Sequence, residues 1–141
     1  NVINKRPLVG LFAGLAFTIF VQSSSITTSL LVPLVAAGIL TVEGAFPMTI
    51  GANIGTTSTA ILASFATGNI AAVTIAFAHF LFNLTGTVCI YPFKFARAVP
   101  VRLAKAFGDI AAVKRRYAFF YVLGVFFALP GVLIIVSRLL R

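Results

Sequence analysis

Eight consecutive residues, Gln22 to Ser29, form a polar cluster in which seven side chains carry a hydroxyl or an amide. Apolar sequence flanks this cluster on both sides, from Leu8 to Val21 and from Leu30 to Leu40. An unpaired hydroxyl or amide costs roughly 2–7 kcal/mol when it moves from water into hydrocarbon. At membrane depth these side chains must therefore face protein, water or a polar ligand. So dense a cluster favours ligand binding over ordinary helix–helix packing through serine and threonine.

A second polar interruption lies inside the apolar segment 45–66. Gly51 and Gly55 stand four residues apart with Asn53 between them, and hydroxyl residues follow directly. Glycine and asparagine disfavour a helix interior, so the sequence predicts two half-helices around an unwound turn, the second capped by Thr56 or Thr57. The same glycine spacing is also typical of two membrane helices that pack closely, and this alternative stays open.

The chemistry that these two interruptions predict is the binding of a small anion beside a sodium ion. Half-helix N-termini present free N–H groups and a partial positive charge, which suit an anion. Unwound carbonyls and hydroxyls suit a desolvated Na⁺. Neither interruption contains lysine or arginine. A neutral site of this kind, with charge supplied by bound Na⁺, suits an anion that must be released again.

Composition places the chain in a membrane. Of its 141 residues 60% are hydrophobic and only 9% are charged, whereas about a quarter are charged in soluble proteins. The net charge of +9 would suggest nucleic-acid binding in a soluble protein. In a membrane protein the basic residues collect on the cytoplasmic side, and seven of the eleven lie between Lys94 and Arg116. The sequence therefore predicts a cytoplasmic basic segment, 94–116, in the cell membrane, and no nucleic-acid partner.

The predicted fold is an all-α integral membrane protein with a single membrane domain, 1–141. Residues 8–21 make roughly 21 Å of helix, too short for a bilayer that needs about 20 residues. Two such short arms around a polar tip predict a re-entrant hairpin. The predicted elements are the re-entrant hairpin 8–40, a broken helix 45–66, a transmembrane helix 70–93, an interfacial amphipathic helix 97–113 and a transmembrane helix 117–137.

Taken in order, these motifs resemble the second repeat of the type II sodium–phosphate cotransporters. The Gln22–Ser25 motif and the Gly51–Thr57 motif begin 29 residues apart, and the resemblance continues through His79–Asn83 and Tyr91-Pro92. It covers residues 20–133. It implies one half of an inverted-repeat transporter in which each repeat supplies one hairpin motif and one glycine motif to a shared site. A second repeat, from a longer parent chain or another subunit, is then required.

The resemblance also implies which residues bind the cargo. Phosphate would contact the hairpin tip and the glycine motif, and sodium would bind where the two meet. The substrate-binding residues implied are Gln22, Ser23, Ser24, Ser25, Thr56 and Thr57. The sodium ligands implied are Ser25, Asn53, Thr56 and Thr59. Inorganic phosphate, co-transported sodium and membrane lipid are the partners expected.

Two alternatives to phosphate transport remain at this stage. One is a sodium-coupled carrier of another oxyanion, such as sulfate or a carboxylate. The other is a channel or membrane scaffold in which the polar residues are only assembly contacts. An enzyme is not expected, because the sequence shows no carboxylate pair and no Cys–His pair placed to act. His79 and Asn83, four residues apart on one helix face, are expected to make helix–helix contacts.

Overall fold

The computed structural model describes residues 2–140, and this range contains helices and short turns but no strand. The helices are α1 (Val2–Lys5), α2 (Pro7–Val21), α3 (Ser24–Ala36), α4 (Val42–Ala66), α5 (Ile70–Ile90), α6 (Lys94–Val113), α7 (Arg115–Leu123) and α8 (Leu129–Leu139). A π-helical turn, Gly124–Ala128, joins the last two. The chain forms two compact units, one ending at Val101 and the other beginning at Arg102. The all-α prediction is confirmed.

Two helical stretches in the described range are long and apolar enough to cross a membrane, Ile70–Ile90 and Arg116–Leu139. They overlap the predicted segments 70–93 and 117–137, but the first helix ends at Ile90, and the crossing of a membrane by either stays a prediction. The second contains the π-helical turn, directly before Pro130. Proline lacks an N–H and its ring crowds the carbonyl four residues earlier, so a local widening of the helix relieves the conflict. Helix α6 begins three residues before the predicted 97–113, and its place at the membrane surface stays a prediction.

The chain reverses direction between α2 and α3 within two residues. Gln22 adopts a left-handed conformation, with φ of 57°, and its N–H donates to the Thr18 carbonyl at 2.7 Å. Few residues other than glycine adopt this conformation. Ser23 is extended, and its Oγ accepts a hydrogen bond from the N–H of Ile26 at 3.3 Å. Ser23 is thus the N-cap that starts α3.

Hydrogen bonds close the resulting hairpin at both ends. Near the tip, the hydroxyls of Thr18 and Thr27 lie 2.7 Å apart, and these side chains are 0% and 2% exposed. At the base, Asn4 Oδ1 accepts from the N–H of Thr41 at 3.2 Å and from its hydroxyl at 3.3 Å. The return arm therefore ends beside the residue that precedes the first arm. Whether the hairpin re-enters a bilayer stays a prediction.

The predicted break in segment 45–66 is wrong. Helix α4 runs without interruption from Val42 to Ala66, through Pro47 and through the whole glycine motif. The hydroxyls bond back to carbonyls of their own helix, which satisfies them without unwinding the backbone. These bonds run from Thr56 to Ala52 at 3.0 Å, from Thr57 to Ile54 at 2.9 Å, from Ser58 to Ile54 at 2.9 Å and from Thr59 to Thr56 at 2.8 Å.

The glycines of α4 instead allow it to touch α2. A Cβ atom on Gly51 would collide with the Leu11 carbonyl. A Cβ on Gly55 would lie 2.9 Å from both the Leu15 carbonyl oxygen and Thr18 Cβ. From the other side, a Cβ on Gly14 would collide with the Met48 carbonyl. The alternative interpretation of the glycine spacing, close helix packing, is therefore the one that the structure confirms.

Helix α5 also packs against α4. The rings of Phe65 and Phe77 meet edge to face with centroids 6.2 Å apart. Asn83 Nδ2 donates to the Asn53 carbonyl at 3.5 Å, which confirms Asn83 as a helix–helix contact. His79 is exposed on α5.

We predict that Gly51→Ala destabilises the protein by about 1–3 kcal/mol, because a backbone carbonyl cannot move aside as a flexible side chain would. The measurement is thermal unfolding of the purified protein in detergent. Gly86→Ala is the matched control, since nothing lies within 4 Å of a Cβ at Gly86. Alanine there removes only the helix penalty of glycine, so the control keeps or raises the stability. Equal melting of Gly51→Ala and the unmodified protein would contradict this packing.

The Thr18–Thr27 hydrogen bond generates a second prediction. Thr27→Val alone leaves the buried Thr18 hydroxyl without its hydrogen-bond partner, which costs about 1–3 kcal/mol of stability. Adding Thr18→Val removes that unpaired group, so the double variant should be more stable than Thr27→Val. Unfolding of both single variants and the double variant gives the coupling directly. Strictly additive effects would show that the two hydroxyls do not interact.

Candidate functional site

The hairpin motif, Gln22–Ser25, occupies the corner between α2 and the first turn of α3. Gln22 and Ser25 are exposed, while Ser23 and Ser24 are partly buried. The first intrahelical hydrogen bond runs from the Thr27 N–H to the Ser23 carbonyl at 3.2 Å. The N–H groups of Ser24 and Ser25 precede it and have no carbonyl one turn earlier in α3 to bond. They lie at the positive end of a 13-residue helix, next to two serine hydroxyls.

The α4 motif, Asn53–Thr59, offers polar groups of unequal access. Asn53 is exposed, and Thr56 and Thr59 are partly buried. Thr57 is 1% exposed, and its hydroxyl is bonded to the Ile54 carbonyl. A hydroxyl that donates to its own helix keeps lone pairs that can accept or coordinate. Asn53, Thr56 and Thr59 thus retain oxygen atoms for a ligand, while Thr57 lies inside the helix packing.

Thr18 connects the two motifs. Its hydroxyl bonds to Thr27, one turn beyond Ser23, and its Cβ packs against Gly55, the neighbour of Thr56. Thr27 also donates to the Ser23 carbonyl at 3.1 Å, which leaves Thr18 as the donor in the pair of threonine hydroxyls. The chain of contacts from Ser23 to Gly55 is therefore continuous and buried. The roles predicted for individual residues of either motif stay predictions.

The two motifs are electrically neutral apart from backbone dipoles. Neither contains a charged side chain. Within residues 2–140, no three His, Cys, Asp or Glu side chains lie close enough together to hold a metal ion. A sodium ion bound by this chain would therefore rely on hydroxyl, amide and carbonyl oxygens, the ligands of a hard cation. Because α4 is continuous, the carbonyls expected from an unwound turn are engaged within the helix, and side-chain oxygens become the main donors.

Sequence reasoning missed several residues that hold the site together. Thr18 interrupts the apolar run from Leu8 to Val21 and is its only polar side chain. A lone hydroxyl in such a run signals a buried hydrogen bond, but its partner Thr27 could not be chosen among the neighbouring hydroxyls. Gly14 and Asn4 gave no local signal, since their importance comes from backbone and side-chain groups more than 30 residues away.

Comparison with known proteins agrees with these motifs. The family described as Na+/Pi-cotransporter matches residues 1–129. The human sodium-dependent phosphate transport protein 2B is 46% identical over 125 residues, which cover 86% of this chain and 18% of that protein. The sodium-dependent phosphate transport protein 2A of Oryctolagus cuniculus is 43% identical over 136 residues, covering 92% of this chain and 21% of that protein. No solved structure matches the chain.

The chain spans about a fifth of the length of the curated relatives it matches. These relatives are named as transport proteins and not as enzymes, in agreement with the expectation that this chain is not an enzyme. The family match confirms the resemblance to sodium–phosphate cotransporters, whereas the assignment to the second repeat stays a prediction. Because that match extends over residues 1–129, the chain belongs to the Na+/Pi-cotransporter family.

Proposed function

We propose that this chain forms part of a sodium-dependent phosphate transporter, in which it supplies the second of two inverted repeats. Membership of the Na+/Pi-cotransporter family and relatives named for sodium-dependent phosphate transport support this proposal. The structural observation that supports it is the link through Thr18, which bonds to Thr27 in α3 and packs against Gly55 in α4. Two separate polar segments thereby contribute to one neutral site.

Phosphate binds at the start of α3 in this proposal. The N–H groups of Ser24 and Ser25 and their hydroxyls donate to phosphate oxygens, aided by the positive end of the helix. Gln22, exposed in its left-handed corner, braces the tip. Thr56 approaches the anion from α4. Thr57 is buried, so its part within this chain is to position Thr56.

Sodium binds between the same two segments and supplies the positive charge that the side chains lack. Its proposed ligands are the oxygens of Ser25, Asn53, Thr56 and Thr59. The three hydroxyls have lone pairs available, and those of Thr56 and Thr59 are oriented by their bonds to α4 carbonyls. Sodium and phosphate then neutralise each other, which makes binding of either depend on the other.

Transport follows by alternating access in this proposal. The hairpin and α4 are joined by backbone contacts that leave no room for a methyl group at Gly51, so they move together as one rigid part. The other inverted repeat, from the parent chain or a second subunit, completes the site. Segment 94–116 lies on the cytoplasmic side of the cell membrane in this proposal, because basic residues collect on that side.

We expect Ser24→Ala and Thr56→Ala, made in the complete transporter, each to weaken sodium-dependent phosphate uptake about tenfold or more, since a hydrogen bond to a charged group is lost. Radiolabelled phosphate uptake is the measurement, normalised to surface expression. Thr74→Ala is the matched control for Thr56, because Thr74 makes the same bond to its own helix, to Ile70 at 2.9 Å, but is exposed on α5. Ser137→Ala is the control for Ser24, because Ser137 is an exposed serine on α8. Uptake unchanged in both site variants would refute the site.

A competition experiment separates phosphate from other oxyanions. A protonated phosphate oxygen can donate to a neutral hydroxyl or amide oxygen, whereas sulfate at neutral pH has no proton to donate. We therefore expect excess unlabelled phosphate, but not sulfate, to suppress labelled phosphate uptake. Equal suppression by sulfate would favour a general oxyanion carrier, and flux that persists without sodium would favour a channel.

A further inference from the structure

A cavity lies between α4 and α5, apart from the hairpin tip. The cavity has a volume of about 300 Å³. Most of its wall is apolar. The apolar lining residues are Phe46, Ile50, Phe82, Gly86, Ile90 and Pro100. Its size falls at the lower end of the range for small-molecule sites.

Besides Tyr91, three polar residues line the cavity: Asn83 and Thr87 are bonded to other protein groups, and the Asn53 side chain is exposed. Asn83 Nδ2 donates to the Asn53 carbonyl, and the Thr87 hydroxyl donates to the Asn83 carbonyl at 2.8 Å. Asn83 and Tyr91 both line the cavity and are eight residues apart on α5, so it extends roughly 12 Å along that helix. The cavity therefore has polar groups beside Asn83 and an elongated apolar body.

Tyr91 lies at the opposite end of the cavity, and its hydrogen bonding differs from that of Asn83 and Thr87. It is 7% exposed, and its hydroxyl is the buried side-chain polar atom for which residues 2–140 provide no hydrogen-bond partner. Arg97 carries only donors, so it can at most donate to the phenol oxygen, and the phenol proton still lacks an acceptor. A buried hydroxyl proton without an acceptor costs about 1–3 kcal/mol, so an acceptor from outside the chain is expected. A phenol keeps its proton at neutral pH, so the Tyr91 hydroxyl can donate it.

Arg97 stands beside this end of the cavity. Its Cζ lies 5.4 Å from the centroid of the Tyr91 ring, and the side chain is partly exposed. Tyr91 directly follows the candidate span Ile70–Ile90, which places both residues at the level of lipid headgroups. The cavity thus presents a donor and a cation at the membrane surface and an apolar body at acyl-chain depth.

We propose that this cavity is a binding site for a glycerophospholipid. One acyl chain lies along Ile90, Gly86 and Phe82, and the Tyr91 hydroxyl donates to an ester or phosphate oxygen. Arg97 pairs with the phosphate of the headgroup. The order of apolar body, donor and cation matches the order of chemical groups in such a lipid. This inference requires membrane insertion and is independent of the proposed phosphate transport.

The test uses the intact transporter in lipid nanodiscs that contain a phosphatidylglycerol carrying a photoreactive diazirine halfway along one acyl chain. After illumination, mass spectrometry locates the cross-links. We expect them on the cavity walls, within residues 46–53 and 82–91. Gly86→Leu should abolish them, because a side chain at Gly86 extends into open space and fills the cavity without a clash. Gly131→Leu, also in open space on α8, is the matched control and should retain them.

Tyr91→Phe tests the headgroup contact without changing the shape of the cavity. We expect lipid retention, measured by native mass spectrometry, to fall about three- to tenfold, the effect of losing one hydrogen bond. Tyr121→Phe, an exposed tyrosine, should leave retention unchanged. Cross-links that persist in Gly86→Leu, or that join the cavity to another segment of the transporter, would overturn the proposal. Equal lipid retention by Tyr91→Phe and the unmodified protein would overturn the headgroup contact.

Discussion

The close approach of α2 and α4 is the contact on which the first unit of this protein depends. Gly14, Gly51 and Gly55 leave no room for a Cβ, so backbone meets backbone along the crossing. In a membrane the lipid is as apolar as the side chains, and helix association depends on such close packing rather than on exclusion of water. The consequence is that α4, which has more buried residues than any other described helix, becomes the helix around which the hairpin is held.

Hydrogen bonds within the protein explain why so many hydroxyls can occupy an apolar environment. In α4 they bond to carbonyls three or four residues earlier, so their protons need no external partner. At the hairpin tip, Thr18 and Thr27 satisfy each other in a fully buried position. Hydroxyl groups bonded within their own helix still present acceptor oxygens, and the Thr18–Thr27 pair also joins α2 to α3. Packing and ion binding are therefore compatible functions of the same residue types.

The absence of charged side chains from both motifs gives the proposed site its character. A fixed cation near the middle of the bilayer would be costly and would hold phosphate tightly. Backbone N–H groups at the start of α3 provide a weaker attraction, and sodium adds charge only when it is bound. Binding and release can then be coupled. The Tyr91 cavity differs chemically from this site, because it combines an apolar wall with a buried hydroxyl and a neighbouring arginine.

Membrane class, the two long apolar helices, the reversal at Gln22 and the family were all readable from the sequence, because each depends on local composition or on motif spacing. The continuity of α4 was not readable. Glycine, asparagine and threonine weaken an isolated helix. The close contact with α2 is possible only because glycine has no side chain, and this packing outweighs the weak helix preference.

The choice between a broken helix and a packing surface therefore depended on residues about 40 positions earlier, such as Leu11 beneath Gly51. The same holds for the pairing of Thr18 with Thr27 and for the isolation of the Tyr91 hydroxyl. Sequence alone determined which groups had to be satisfied in an apolar environment. Only the tertiary structure decided which partner each received, because hydrogen bonds and van der Waals contacts act over a few ångströms and take no account of distance along the chain.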